Sequence, residues 1–252
     1  MTEPRAVTAA ILIIGNEILS GRTQDVNLAF LAKELGALGI RVREARIVPD
    51  VEEEIVAAVN HCRQRYDLVF TTGGIGPTHD DITSPSIARA FGVEWVRNPE
   101  AVQLLARHYE GAMLNEARLR MATVPQGARL IDNPVSTAPG FQIANVYVLA
   151  GVPSIMRAMF DGLKSGLPGG QAVASRTVST FLGEGTIAEA LGALQARFPA
   201  LEIGSYPFFR QGKFGTSLVI RGTSATALDA AAEGLRALIR DLGAEPIEGE
   251  ID

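Results

Sequence analysis

Cysteine and tryptophan each occur once in this chain and histidine three times. A single cysteine, Cys62, rules out an internal disulfide framework and any zinc site built from several cysteines. The scattered histidines, His61, His79 and His108, do not form a zinc ligand set, and no Ser-His-Asp or Cys-His arrangement is visible in the motifs. Basic residues are spread thinly instead of forming a stripe, so the electrostatic footprint of a nucleic-acid binder is missing. No apolar run approaches the roughly 18 residues of a membrane helix. The early run Val7–Ile14 has only Arg5 as a basic residue before it and Gly15-Asn16-Glu17 after it. Without a small-residue cleavage pattern, this predicts no secretory leader. The expectation is a cytoplasmic chain with neither nucleic acid nor membrane as partner.

What is present is a globular composition. Of 252 residues, 47% are hydrophobic and 20% charged, with a net charge of −5. Disorder is excluded, and the length suits one large domain or one domain with a small companion. Such a chain buries roughly 72% of the surface its unfolded form exposes, enough to need no metal or disulfide staple.

Apolar runs and helical periodicities alternate. Val7–Ile14 reads as a strand buried on both faces. Val26–Leu38 has Val26, Phe30, Leu31, Leu35 and Leu38 at helical spacing, with Gly39 where a C-terminal cap belongs. Ile40–Val48 reads as a strand, and Asp50 as the opening of a helix with Glu52, Glu53 and Glu54 in its first turn. Asp67–Thr72 is a third strand, Ser84-Pro85 and Asn98-Pro99 each start a helix, Gln142–Leu149 is a later strand, and Pro153–Leu163 a later helix. This alternation predicts an α/β fold with a mostly parallel sheet between helical layers, and ligands beyond the carboxyl ends of its strands. Residues 164–170 read as a linker, giving domains at 1–166 and 171–252. The second is a small α+β unit of split, ferredoxin-like or related type.

The chemistry-bearing stretch is Thr71-Thr72-Gly73-Gly74-Ile75-Gly76-Pro77-Thr78-His79-Asp80-Asp81. Glycines after a buried strand let backbone amides approach an anion; a tight turn would need the same glycines sterically. The loop lacks the Gly-Lys-Ser/Thr of a Walker A motif and the third glycine of the dinucleotide fingerprint. Asp80 and Asp81 would repel phosphate unless a magnesium-like cation lay between; alternatively one of them caps the helix near Ser84. Asp50 with Glu53 forms an Asp-x-x-Glu capping box and also lies on the strand rim, as does Glu17. Ser136 and Thr137, within the loop ending at Gly140, are candidate phosphate ligands. Gly151-Val152-Pro153-Ser154 places a helix N-terminus after a strand. Arg118 and Arg120 are candidate phosphate clamps or a solvated helix face. Cys62 falls on a buried stripe.

In combination, Gly15-Asn16-Glu17-Ile18-Leu19-Ser20-Gly21, Val48-Pro49-Asp50, Thr72 to Pro77 with Asp81, Asn133-Pro134-Val135-Ser136-Thr137-Ala138-Pro139-Gly140-Phe141 and Gly151 to Met156 resemble the molybdopterin-binding family of molybdenum-cofactor biosynthesis proteins. The Asn-Pro-Val-x-Thr-Ala-Pro-Gly-Phe loop resembles the branch containing the N-terminal domain of competence/damage-inducible protein A and the companion domain of eukaryotic FAD synthases. The resemblance implies a three-layer fold over about residues 7–165 and a phosphate-holding glycine loop at Gly73, Gly74 and Gly76. It also implies carboxylates at Asp50 and Asp81 that serve catalysis.

For this branch the implied activity is hydrolysis of ADP-ribose-like or FAD-like dinucleotides with magnesium, manganese or cobalt. Asp80, Asp81 and Glu17 are then the expected metal ligands, and Thr72, Gly73, Gly74, Gly76, Ser136, Thr137 and Gly140 the phosphate contacts. The alternatives are binding or adenylation of molybdopterin and a non-catalytic nucleotide-sensing module. The analogy further implies a homo-oligomer, with a dimer as the expected state. It implies no carry-over of the amidohydrolase or FAD synthase catalytic domains.

Overall fold

The computed structural model describes residues 6–109, 114–210 and 212–251; Arg5 lies outside the described residues. The chain divides into two units, Met1–Gly170 and Gln171–Asp252.

In the first unit, a six-stranded sheet is built from β1 (Thr8–Ile14), β2 (Arg41–Val48), β3 (Leu68–Thr72), β6 (Arg129–Ile131), β7 (Gly140–Ile143) and β8 (Val146–Leu149). Its order is β2-β1-β3-β8-β7-β6. The first four of these strands run parallel, while β7 and β6 join antiparallel. A short ribbon pairs β4 (Trp95–Arg97) with β5 (Thr123–Pro125). Because neighbouring side chains on a strand face opposite ways, Ala9, Ile11 and Ile13 enter one core and Ala10, Leu12 and Ile14 the other. The first core is closed by α2 (Asn27–Ala37) and α7 (Pro153–Leu163), through Leu31, Leu35, Met156, Met159 and Phe160. The second is closed by α3 (Glu52–Arg65) and α4 (Thr83–Phe91), through Ile55, Val59, Cys62 and Ile87. The expected three-layer arrangement is present.

Register places the loops. Ile14 stands opposite Val48, Ile13 opposite Thr72, and Thr72 opposite Leu149. The segments leaving β1, β2, β3 and β8 therefore emerge side by side at one edge of the sheet.

Three local readings need correction. The run Gln142–Leu149 is a hairpin, because Ala144 turns the chain at φ 49° and β7 then pairs with β8. Apolar residues on both sides of a turn without glycine conceal that reversal. The Asn145 side chain holds the turn by donating to the Arg63 and Tyr66 carbonyls at 3.0 and 2.9 Å. Helix α4 begins at Thr83, with Ile82 as its N-cap residue; Ser84 does not cap it and instead donates to the Thr123 carbonyl at 2.8 Å. Asp50 does not cap α3, whose N-cap residue is Val51 and which has no side-chain cap. By contrast, Asn98 caps α5 (Pro99–His108) by accepting from the Glu100 and Ala101 amides.

The second unit runs β9 (Ala174–Thr180), α8 (Glu184–Arg197), β10 (Glu202–Arg210), β11 (Lys213–Gly222), α9 (Ala225–Asp241) and β12 (Ile247–Glu248). Its antiparallel sheet has the order β10-β11-β9-β12. This is a split βαββαβ arrangement of ferredoxin-like type. Leu218, Ile220, Leu228 and Leu235 are among the residues of its own core.

Phe70 is fully buried, stacked on Tyr147 with ring centroids 5.0 Å apart and edge-on to Phe160 at 6.0 Å. Phe70→Ala is expected to cost about 3–5 kcal/mol, the range for a large cavity in a close-packed core. Urea unfolding would show this as a lower midpoint for the transition of the first unit.

Candidate functional site

The glycine loop after β3 is dictated first by sterics. Gly73 and Gly74 adopt φ of 103° and 67°, a region that disfavours side chains. A Cβ on Gly73 would strike the Ile14 carbonyl oxygen, and one on Gly74 the Thr83 hydroxyl. Thr83, fully buried, anchors the loop from α4: its hydroxyl donates to the Gly73 carbonyl and its amide to the Gly74 carbonyl, both at 2.9 Å. Gly76 is held open for the Asp81 carboxylate, whose Oδ2 would lie 2.6 Å from an added Cβ.

Asp81 closes a small turn. Its Oδ2 accepts from the Thr78 amide at 2.8 Å and from the Thr78 hydroxyl. The carboxylate is thereby aimed at Gly76 and does not cap α4. Asp80 is exposed. His79 is almost wholly in solvent, with Nδ1 3.9 Å from Asp80. Asp50 reaches across from the end of β2 and accepts from the Asn16 amide at 2.8 Å. It therefore caps the first turn of α1 (Asn16–Leu19) from a different segment of chain. Glu17 lies in that turn, exposed.

The loop before β7 is organised by Asn133, which is only 2% exposed. Its amide nitrogen donates to the Ser136 hydroxyl and the Ala138 carbonyl, each at 2.7 Å. Its oxygen accepts from the Val135 and Ser136 amides, each at 3.1 Å. Gly151, after β8, lies against Gly73, whose Cα would be 3.1 Å from an added Cβ. Its carbonyl accepts from Asn27 at 2.8 Å.

These loops enclose a cavity of about 410 Å³, within the usual size range for a small-molecule site. Glu17, Asp50, Asp80 and Asp81 line it, together with Gly73, Gly74, Gly76 and Ser136; no lysine, arginine or histidine does so among the described residues. Thr72, Thr137 and Gly140, expected among the phosphate contacts, are absent from the lining. Thr72 is 1% exposed inside β3, the Thr137 hydroxyl donates to the Ser136 carbonyl at 2.7 Å, and Gly140 allows close packing against the Val148 carbonyl. Asn133, Gly151, Met121 and Ile155 also border the cavity. Asn133 enters the sequence reading only as the first residue of the Asn-Pro-Val-x-Thr-Ala-Pro-Gly-Phe motif, while Met121 carries no sequence signal.

Among the described residues, no three His, Cys, Asp or Glu side chains form a group able to hold a metal by themselves. Arg118 stacks on Tyr109, 4.2 Å from the ring centroid. Among the described residues, no helix is long and apolar enough to cross a membrane.

A family model described as "Probable molybdopterin binding domain" matches residues 10–168, and one described as "FAD synthase, middle domain" matches residues 172–246. A "Probable FAD synthase" from Caenorhabditis elegans is 35% identical over 94% of this chain and 50% of its own length. A "CinA-like protein" from Desulfosudis oleivorans is 37% identical over 78% of this chain and 51% of its own. The chain thus spans about half the length of these two relatives. The crystal structure of the protein CinA from Thermoplasma acidophilum aligns with a TM-score of 0.61 and 36% identity, covering 64% of this chain and 98% of that one.

Removing the Asn133 carboxamide strips the 133–140 loop of its internal bonds, and Asn133→Ala is expected to lose about 1–3 kcal/mol in urea unfolding. Cys62 is fully buried, and burial pushes its thiol up to about 11. In native protein at pH 8 it should react with a thiol reagent far more slowly than in denaturant, because only the thiolate attacks.

Proposed function

The chain belongs to the molybdopterin-binding domain family, with FAD synthase-like and CinA-like relatives, and on that premise we propose that it hydrolyses the phosphoanhydride of dinucleotides such as ADP-ribose or FAD, assisted by a divalent cation. The observation that carries this reading is a cavity at the strand ends lined by four carboxylates and a glycine loop, with no basic side chain among its described residues. A bare pyrophosphate would be repelled there. The donor set suits a cation that arrives with its ligand: magnesium-like ions take one or two carboxylates and complete their shell with phosphate oxygens and water.

One or two of Asp80, Asp81 and Glu17 would hold such a cation, with the ligand's oxygens completing its shell; it would neutralise phosphate charge and acidify a water. The glycine loop receives the phosphate, with Ser136 beside it. Asp50 keeps the first turn of α1 in place through the Asn16 amide. Water adds to the adenylyl phosphorus and the bridging P–O bond breaks, giving AMP with ribose 5-phosphate or FMN. The proton of the attacking water passes to a carboxylate of the rim.

The family description favours a second reading, in which the same cavity binds or adenylates a pterin. Incubation of the protein with ADP-ribose or FAD, with magnesium, manganese or cobalt and with chelator, separates the two when the products are chromatographed. The expected result is metal-dependent AMP, reduced on the order of 100-fold or more in Asp81→Asn, with the melting temperature near that of the wild type. Intact substrate under every metal, together with tight pterin binding, would favour the second reading.

A further inference from the structure

We propose that Arg120 is the specificity residue that recognises the phosphate charge of the ligand; the inference rests on the phosphoanhydride reading and names the group that would make it selective. The main cavity presents four carboxylates and no cation among its described residues. A second, much smaller cavity of about 10 Å³ lies against it, and Arg120 lines that space together with Gly76 and Asp81. Ile75, Gly76, Asp81 and Met121 border both cavities. Arg120, the last residue of α6 (Glu116–Arg120), therefore stands just behind the wall that carries the glycine loop and its carboxylate.

The hydrogen bonding of Arg120 is incomplete. Its Nε is buried and has no acceptor among the described residues, an unfavourable state for a charged donor. The Ser84 hydroxyl, the Trp95 indole and the Thr123 carbonyl around the small cavity are already engaged. Ser84 donates to the Thr123 carbonyl at 2.8 Å, and Trp95 Nε1 donates to both, at 2.9 and 2.8 Å. Asp81 Oδ2 takes the two Thr78 donors. A phosphoryl group entering beside Gly76 supplies the missing acceptor, and the planar guanidinium fork matches two of its oxygens with two parallel bonds. Met121, unbranched and bordering both cavities, is the side chain most easily displaced to let the two meet. Arg120 thus provides the attraction for anions that the main cavity lacks.

Calorimetric titration of the full chain tests this, using inorganic pyrophosphate, ADP-ribose, adenosine and manganese itself as probes. Arg120→Met is expected to weaken pyrophosphate and ADP-ribose, each titrated with manganese present, by about 10- to 100-fold. Adenosine affinity, manganese affinity and melting temperature should be unchanged. Arg120→Lys should recover part of the loss, since it restores the charge but not the fork. Unchanged pyrophosphate affinity in Arg120→Met would overturn the inference and leave the phosphoanhydride reading standing. A parallel loss of manganese or adenosine affinity would overturn it too, by making Arg120 a support for the Asp81 wall. Failure of the wild-type protein to bind pyrophosphate or ADP-ribose under any condition would instead remove the phosphoanhydride reading itself.

Discussion

The contact on which the site depends is the approach of the Gly73 backbone to the Ile14 carbonyl, with Gly151 packed on the other side of Gly73. Parallel pairing brings the ends of β1, β3 and β8 level. Loops leaving adjacent strands at a spacing of about 4.8 Å have no room for a side chain between them. Glycine at 73 and 151 is the consequence. Once the loop lies flat across the strand ends, Thr83 can reach both of its carbonyls, and the start of α4 is set by that contact. The position of Asp81, two residues before Thr83, follows from the same anchoring.

Charge explains the remainder of the site. Four acidic side chains around one cavity are costly unless they stay hydrated or share a cation. Here each carboxylate with a hydrogen-bond partner takes it from the rim itself: Asp81 from Thr78 and Asp50 from Asn16. These bonds hold the acids in position without neutralising them. Among the described residues of the lining, the groups left for an anion are backbone amides and the side chains of Ser136 and Asn133.

Much of the fold was legible before the structure. Buried strands appear as continuous apolar runs, helices as a stripe of leucines and isoleucines, and the glycine loop as a break between a strand and a pair of aspartates. The capping motif at Asn98-Pro99 was readable because a cap bonds to its own helix, two and three residues on. Asp50 misled for the opposite reason. Its Asp-x-x-Glu spacing satisfies a local rule, yet its partner is Asn16, 34 residues away. The hairpin at Ala144 was hidden because Asn145 is its one turn-forming residue, and that side chain bonds to the end of α3 instead of to the backbone beside it.

Composition and spacing alone determined the class of the molecule, the alternation of its elements, the strand-end rim where the cavity opens and the four acidic residues that line it. These properties depend on periodicity and on residues near one another in the chain. The tertiary structure decided which candidates share a cavity, leaving Thr72, Thr137 and Gly140 outside it and bringing in Asn133 and Gly151. It also decided that Arg120 and Asp81 line one small cavity, and that Asp50 serves α1 instead of α3. Those outcomes rest on sheet register and on contacts between distant segments, where one step along a strand turns a side chain from the cavity into the core.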